Sequence, residues 1–304
     1  MCIFVPEMDK ILKVHTVNDY ARYIGAPELH PFVSVIHYDE LEHCRHSLNN
    51  YDVYALFIGD EELEELSYGQ IRYTLSQHAL MCVAPGQIGG KTDNGEEIHT
   101  KGWALLFDTE LLRNSELGRR ISGYNFFSYN TSEALLLNPE QRQNIVAILE
   151  LMRQELQQDE DEHTLRIVTS QIEQILEYVS RYYALQLSKS ANSTNSDLLT
   201  RFENLLQHYY DNGTQRTLGL PTVKYCAQEL FLSPNYFGDL IRELTGKSAT
   251  SHIRRFIMQR SQTLLLSGST ISETSDLLGF EYPQHFTRVF KKHFGITPSE
   301  FLKN

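Results

Sequence analysis

Two stretches near the C-terminal end, SPNYFGDLIRELTG at 233–246 and YPQHFTRVFKKHFG at 282–295, decide the fold. The second repeats the pattern of the first, with proline second, phenylalanine fifth and glycine last. Proline fixes φ in the first turn of a helix, and glycine adopts the left-handed conformation that ends one. Each stretch therefore predicts one amphipathic helix that stops at its glycine.

A shorter amphipathic segment precedes each of these helices, at 222–230 and at 271–278. In each copy, a tight turn connects the short segment to the helix that follows it. Such a helix-turn-helix pair leaves one face of its second helix free to enter a DNA major groove. We expect a further helix over 250–267 to join the two copies rigidly, about one DNA turn apart. The pattern thus predicts an all-α domain that contacts two successive grooves of double-stranded DNA.

The second copy carries the clearer base-reading side chains. Gln284, His285 and Arg288 fall on the face opposite its phenylalanines. Arginine can make a bidentate contact with guanine, and glutamine can do so with adenine. Lys291 and Lys292 stand near the end of the helix, where contacts with DNA phosphates are expected. The alternative for each of the five is a solvated surface position.

The first copy is less basic on its exposed face. We assign Asn235, Asp239 and Arg242 to base readout, whereas Gly238 offers no side chain. Asp239 repels phosphate unless it accepts a hydrogen bond from a cytosine amine. Lys247 follows the helix and is expected to meet a phosphate.

Several motifs stand in order along this region: LSPNYF at 232–237, LTGKS at 244–248, LGF at 278–280, HFTRVFKK at 285–292 and GITPSEF at 295–301. Together they resemble the DNA-binding domain of the AraC/XylS family of bacterial transcription regulators. The resemblance implies two helix-turn-helix units on one face of DNA and RNA polymerase as a further partner. It also implies an N-terminal cupin-like barrel with helices, which senses a small molecule, dimerises, or does both.

The sequence departs from the family pattern in the supporting helix of the second unit. Thr274 and Ser275 stand where an apolar residue and an alanine are typical. We therefore expect looser packing at this helix.

Charge divides the chain in the same way as the motifs do. Residues 1–197 hold fifteen Lys and Arg against thirty Asp and Glu, whereas residues 198–304 hold twelve against nine. Nucleic acid is therefore expected to contact the C-terminal part, because cations supply most of the sequence-independent affinity. Between the two parts, SKSANSTNSD at 188–197 has one apolar residue in ten and predicts a flexible linker. The predicted domains are 1–187 and 198–304.

The N-terminal part alternates apolar and polar residues in short segments, at 33–38, 51–58, 69–75, 79–84 and 103–107. Strands at this spacing predict a small antiparallel barrel or sandwich. Two amphipathic helices follow, at 140–158 and 163–187, and we expect them to form a homodimer contact, with packing inside one chain as the alternative. The overall class is therefore α+β.

An effector pocket is expected on the strands of this domain. The candidates are His37, Tyr54, Arg72 and Trp103, whose side chains can offer polar or aromatic contacts. For Trp103 a packed core position is the favoured alternative.

No catalytic, metal or cofactor motif accompanies these features. The densest polar cluster, His43-Cys44-Arg45-His46, lacks the spacing of a metal site, and the acidic run 60–65 predicts a solvated surface segment. A repair methyltransferase of this family needs a reactive cysteine in a metal cluster, whereas Cys226 falls in a helix that we expect to be packed. We expect no enzyme activity. A ligand-binding or enzymatic barrel fused to helix-turn-helix units that contact proteins remains the alternative.

The chain contains no apolar run of about 18 residues that could span a membrane. Its first residues, MCIFVPE, are interrupted too soon for a secretion signal. The four cysteines are too far apart to suggest a disulfide framework. The reducing cytoplasm is therefore the expected location.

Overall fold

The computed structural model describes residues 11–303 apart from 43, 61–62, 69–70, 76–77, 92–96 and 114. At 63–68, 71–75, 131 and 189–197 it describes the backbone alone. The chain is of the α+β class and divides into two compact units, residues 1–186 and 187–304. This division falls next to the predicted boundary.

Short strands form the larger part of the first unit. In chain order they are β1 (Leu12–Val14), β2 (Val33–His37), β3 (Cys44–Arg45), β4 (Leu48–Tyr51), β5 (Tyr54–Gly59), β6 (Leu63–Tyr68), β7 (Ile71–Leu75), β8 (Ala79–Val83), β9 (Ile88–Gly90), β10 (Glu97–Ile98), β11 (Gly102–Phe107) and β12 (Leu135–Leu136). One sheet has the order β1-β4-β9-β6-β7, a second has β12-β8-β5-β11-β2, and β3 pairs with β10. The pairing is antiparallel except between β1 and β4, which run parallel.

Two sequence-based expectations in this unit are corrected. The strand predicted over 51–58 is two strands, because the chain bends at Asp52 and Val53 between β4 and β5. The acidic run predicted as a solvated surface segment begins with Asp60, whose side chain is only 15% exposed and pairs with Arg142. Strand β6 begins within this run, at Leu63. Residues 61 and 62 of that run lie outside the described residues.

Both faces of the second sheet are buried, which gives this unit its core. Leu56 and Leu105 face each other across β5 and β11 on one side, and Ala55 and Leu106 do so on the other. The second of these faces packs with Val14, Val17, Tyr20 and Tyr51. Apolar burial on both sides is the main stabilising contribution here.

Eleven α-helices occur among the described residues: α1 (Val17–Tyr23), α2 (Glu116–Arg120), α3 (Pro139–Leu156), α4 (Thr164–Asp211), α5 (Gln215–Leu218), α6 (Val223–Glu229), α7 (Pro234–Thr245), α8 (Ala249–Leu266), α9 (Ile271–Leu278), α10 (Pro283–Phe294) and α11 (Pro298–Phe301). The apolar stripes of α3 and α4, including Ile145, Met152, Val168 and Ile175, are buried within the single chain. None of the helices in the described part combines the length and apolar character needed to cross a lipid bilayer.

The linker predicted over 188–197 is helical, since α4 continues through it to Asp211. The expectation of an irregular segment there is wrong. A residue such as Ser, Asn or Thr costs at most about 0.7 kcal/mol relative to Ala inside a helix. Extending a helix that is already nucleated costs far less than starting one. Composition alone therefore did not end the helix.

The second unit has a core rich in aromatic rings. Phe202 of α4 packs edge-on against Phe237 of α7, with ring centroids 5.1 Å apart. The hydroxyl of Tyr210 donates to the carbonyl of Leu278 at 3.1 Å, which ties α4 to the end of α9. In α9, Thr274 and Ser275 are fully buried, and neither hydroxyl has a hydrogen-bond partner.

Candidate nucleic-acid interface

The residues that begin and end α10 set its position. Pro283 occupies the first turn, and Gly295 ends the helix with φ +80° in the left-handed region. The ring of His285 lies edge-on to Phe280 of the preceding turn, with centroids 5.4 Å apart. The start of the helix is thereby held against the turn that precedes it.

The buried face of α10 consists of phenylalanines. Phe286 and Phe290 are fully buried, and their ring centroids lie 5.7 Å apart. Phe290 also packs against Phe294 and Phe301, at 4.6 and 5.6 Å. This packing fixes the rotation of the helix about its axis.

All five residues that the sequence assigns to DNA contact in this copy are exposed on α10: Gln284, His285, Arg288, Lys291 and Lys292. The helix contains no carboxylate and, with neutral histidines, carries a charge of +3 from Arg288, Lys291 and Lys292. An exposed helix face of this charge can bind phosphates and present an arginine and a glutamine to base edges.

α7 repeats this construction with different side chains. The hydroxyl of Ser233 caps the helix by accepting from the amide of Tyr236 at 3.3 Å, and Gly246 ends it with φ +68°. Phe237 and Ile241 are fully buried. Asn235 is exposed.

The outward side of α7 carries opposite charges, with Asp239 half-buried and Arg242 and Glu243 exposed. Arg242 pairs with Asp239 at 3.8 Å, and with Glu243 the helix has a charge of −1. Space is open around Gly238, where an added Cβ would meet nothing within 4 Å. The two copies thus differ by four charge units on equivalent helices.

Phe231, in the turn before α7, is a feature that sequence reasoning missed. Its φ of +61° lies in the left-handed region, which disfavours a bulky residue, and its side chain is 85% exposed. The available signal in the sequence was an aromatic residue in the predicted turn, where glycine is common.

A hydrogen-bonded cluster joins the end of α7 to α8. The hydroxyl of Thr245 accepts from the amide of Lys247 at 3.2 Å, and it lies 2.8 Å from Nε2 of His252 on α8. Burial lowers the pKa of His252. Lys247 itself is exposed beside this cluster. α8, with eighteen residues, is about 27 Å long and joins the two copies.

Three of the four residues predicted to line an effector pocket, His37, Tyr54 and Trp103, do not line the cavity of the first unit. His37 stacks on Trp103 with centroids 4.1 Å apart, and Tyr54 stacks on Phe107 at 5.2 Å. These residues share one face of the second sheet, since β11 places Trp103 opposite His37 and Phe107 opposite Tyr54. The side chain of Arg72 lies outside what the structure describes.

The cavity opens on the other face of that sheet. Its volume is about 160 Å³, and its walls include Phe57, Met81 and Val83 of the second sheet and Asn49 and Tyr51 of the first. Sequence reasoning missed these residues because Phe57 and Tyr51 look like ordinary core positions. The capped helix α1, which contributes Tyr20, was also not predicted.

Within the described part of the chain, no group of three or more His, Cys, Asp and Glu is arranged to hold a metal ion. His43, from the polar cluster at 43–46, lies outside that part. Cys44 of the same cluster is buried and donates to the carbonyl of Ile98 at 3.1 Å.

The C-terminal part of the chain is similar to known proteins. Residues 226–304 match a family model described as a helix-turn-helix domain. The uncharacterized transcriptional regulatory protein YesN of Bacillus subtilis is 34% identical over 92 residues, which cover 28% of this chain and 25% of YesN. The Msm operon regulatory protein of Streptococcus mutans is 25% identical over 138 residues, 45% of this chain and 47% of that protein. The match therefore spans less than half of either relative.

A solved structure, the C-terminal domain of the response regulator yesN from Fusobacterium nucleatum, is 22% identical. The alignment covers 33% of this chain and 96% of that domain, with a TM-score of 0.29.

Proposed function

We propose that this chain, whose C-terminal helices form a helix-turn-helix domain of the AraC type, is a sequence-specific DNA-binding transcription regulator. The observation that carries the proposal is the division of α10 into two faces. Phe286 and Phe290 anchor the helix in the core, while Gln284, His285 and Arg288 are exposed on it. This is the arrangement that a recognition helix needs.

In this proposal α10 reads bases and its terminal lysines bind phosphates. Arg288 contacts a guanine and Gln284 an adenine, with His285 beside them. Lys291, Lys292 and Lys247 supply the electrostatic, sequence-independent share of the affinity. Asn235, Asp239 and Arg242 of α7 complete base readout in the neighbouring groove.

The N-terminal unit is proposed to be a cupin-like barrel that binds a small molecule. Its support is the cavity whose walls come from strands of both sheets. A mostly apolar cavity with a few polar groups is the usual form of a small-molecule site. Binding there would bias the activity of the DNA-binding unit.

We also infer that the regulator is a homodimer that acts on RNA polymerase. The stripes of α3 and α4 are buried within the chain, so a dimer contact on these helices needs their outer faces. Exposed apolar side chains on those faces support such a contact: Leu151, Leu165, Ile167 and Leu185.

The protein is proposed to act by binding and not by catalysis. Cys226 is fully buried, and burial raises the pKa of its thiol to about 12. A thiol in this state is a poor nucleophile, since the thiolate is the reactive form.

A second candidate function is protein contact through the helix-turn-helix units. The charge of −1 on α7 favours it, because an acidic helix is repelled by phosphates. The two candidate functions differ in how binding to duplex DNA is expected to depend on salt.

Selection of bound duplexes from random DNA by the full chain tests the proposal. We expect a recurrent sequence to emerge, with affinity that falls steeply as salt rises. A variant with Arg288, Lys291 and Lys292 changed to Ala is the matched control and should recover no sequence. The protein-contact function would be favoured if the unchanged chain enriched no DNA sequence and if its binding to duplex DNA did not depend on salt.

A further inference from the structure

The connecting helix α8 is charged with one sign only. Its eighteen residues include three arginines and no carboxylate. Exposed helices ordinarily mix the two signs, and opposite charges three or four positions apart stabilise the helix. No pair of this kind can form within α8. Its charge therefore favours an anionic partner outside the helix.

The three arginines of α8 differ in what engages them. Arg260 is held by α4, since its Nη2 lies 3.6 Å from Oδ1 of Asp211 and its Cζ 5.0 Å from the centroid of the Tyr210 ring. Arg254 and Arg255 are exposed, and neither forms an ion pair with a carboxylate of the described part of the chain. These two guanidinium groups are therefore available to bind an anion.

Lys247 lies close to Arg255, although it precedes the helix. Burial lowers the pKa of His252 most, and the charges of Arg255 and Lys247 lower it further. Two cations that act on one imidazole lie near each other. The carboxylate of Glu203 on α4 opposes them and has the smallest effect. Lys247, Arg255 and the adjoining Arg254 thus form one surface, which we call the basic surface of α8.

This basic surface is continuous with the end of α7. The hydroxyl of Thr245 accepts from the amide of Lys247 at 3.2 Å and lies 2.8 Å from Nε2 of His252. The amide of Gly246 donates to the carbonyl of Arg242 at 2.8 Å, within the last turn of α7. Arg242 is one of the residues proposed to read bases. The basic surface of α8 therefore borders a helix that is proposed to enter a groove.

The position of α8 between the two units also places it near DNA phosphates. In the proposed function, the two helix-turn-helix units contact successive major grooves on one face of DNA, roughly 34 Å apart. The connecting helix, about 27 Å long, joins the units across this interval. The DNA backbones that separate the two grooves therefore cross between α7 and α10.

Charge complementarity identifies the occupant of the basic surface as the DNA backbone. α7 has a net charge of −1, so phosphates repel it. The three cations of the basic surface outweigh that charge and can attract DNA of any sequence.

The surroundings of the basic surface favour DNA over a protein partner. The exposed residues Thr250, Ser251 and Gln259 offer hydrogen-bonding side chains of the kind that contact phosphates. No large apolar side chain is exposed between 247 and 259, a stretch that the structure describes throughout. A protein partner ordinarily requires an apolar core in the interface.

We propose that Lys247, Arg254 and Arg255 bind phosphates of the DNA backbone between the two major grooves and supply the electrostatic affinity that α7 lacks. The inference rests on the proposed DNA-binding function and adds a third contact surface to the two recognition helices. This contact carries no sequence preference, because phosphate contacts position a protein without reading bases.

The salt dependence of DNA binding by full-length variants tests the proposal. Each variant is titrated with a selected duplex and with a random duplex of equal length, at several salt concentrations. Arg254→Gln and Arg255→Gln should each lower the slope of log affinity against log salt by about 0.9 on both duplexes, because each removes one phosphate contact. The double variant should lower the slope by roughly 1.8. The sequence recovered by selection should stay the same.

Two controls separate charge from structure. The double variant Arg254→Lys, Arg255→Lys keeps both charges and should restore the slope. Lys13→Gln removes an exposed cation of β1 in the first unit and should leave the slope unchanged. Unfolding in urea should have the same midpoint in all variants, because exposed side chains without partners contribute little to stability.

An unchanged slope in the double glutamine variant overturns the proposal and leaves the basic surface of α8 to a protein partner. A loss confined to the selected duplex also overturns it, because that result would indicate base reading. So does a slope that stays low in the double lysine variant. When the unchanged chain binds duplex DNA, these results contradict this inference alone. An unchanged chain that binds no duplex contradicts the proposed function as well.

Discussion

Phe286 and Arg288 lie two positions apart on α10 and face opposite ways: the ring of Phe286 is fully buried, whereas the side chain of Arg288 is exposed. The same helix therefore supplies an anchor in the core and a cation at the surface. Because the anchor fixes the rotation of the helix, the direction of Arg288 is fixed as well. Loss of the cation should affect DNA binding without affecting the fold.

Arg288→Ala should cost about 1 to 3 kcal/mol of binding on a selected site and relax preference at one base pair. Lys291→Ala should weaken binding to all sequences alike and lower the salt slope by about one. Titration of both variants on specific and random duplexes at several salt concentrations distinguishes them. Equal losses on the two duplexes for Arg288→Ala would remove this residue from base readout.

Asp239→Ala should weaken binding to a selected site by about 1 to 3 kcal/mol and relax preference at one base pair, because it removes the acceptor for a cytosine amine. On random duplexes it should strengthen binding slightly, because it removes a carboxylate from α7 and ends the pair with Arg242. Titration on both duplexes measures the two effects, and stronger binding on both would remove Asp239 from base readout.

The helices of the C-terminal unit could be predicted because their signals are local. Pro234 and Gly246 start and stop α7, and Pro283 and Gly295 do the same for α10. Each signal acts within a few residues of its own position. The three- and four-residue spacing of the apolar residues then identified the buried face of each helix.

The cavity could not be predicted because both faces of the second sheet are buried. Trp103 and Ala104 are neighbours on β11 and face opposite sides, yet both are almost inaccessible to solvent. A period of two separates the faces but does not say which one borders a cavity. The candidates His37, Tyr54 and Trp103 lie together on one face of the second sheet. The cavity lies on the other face.

Ser275→Ala should stabilise the protein. The hydroxyl of Ser275 is buried without a partner, and removing an unpaired buried polar group gains about 1 kcal/mol. Thermal or urea unfolding measures the gain. Ser261→Ala is the matched control, since the hydroxyl of this equally buried serine donates to Met258 at 2.6 Å and its loss should destabilise. A destabilised Ser275→Ala variant would show that the hydroxyl has a partner in solution.

The two turns of the helix-turn-helix units should respond oppositely to substitution. Phe231→Gly should stabilise by about 1 kcal/mol, because glycine accepts a φ of +61° without steric cost and little buried surface is lost. Gly279→Ala should destabilise by about 2 kcal/mol or more, because its φ is +85° and the added Cβ would lie 2.8 Å from the backbone of Gly219. Unfolding in urea measures both, and a neutral Gly279→Ala variant would contradict the close approach.

Acid should weaken the attachment of α3 to the segment that follows β2, through the ion pair of Arg153 with Glu40. The hydrogen bond from Arg153 lowers the pKa of this carboxyl from its ordinary 4.5 to about 2. A lowered pKa means that the stabilisation is present above pH 4.5 and is lost as the pH falls towards 2. Half of the Glu40 side chain is exposed, so solvent screening limits the contribution to about 1 kcal/mol. Glu40→Gln should remove this part of the pH dependence when unfolding is measured between pH 4.5 and about pH 2.

Glu116→Gln is the control, because it breaks an exposed pair with Arg119 inside α2 and should leave the attachment of α3 unchanged. A Glu40→Gln variant with the same acid sensitivity as the unchanged chain would mean that this ion pair does not hold α3 in solution.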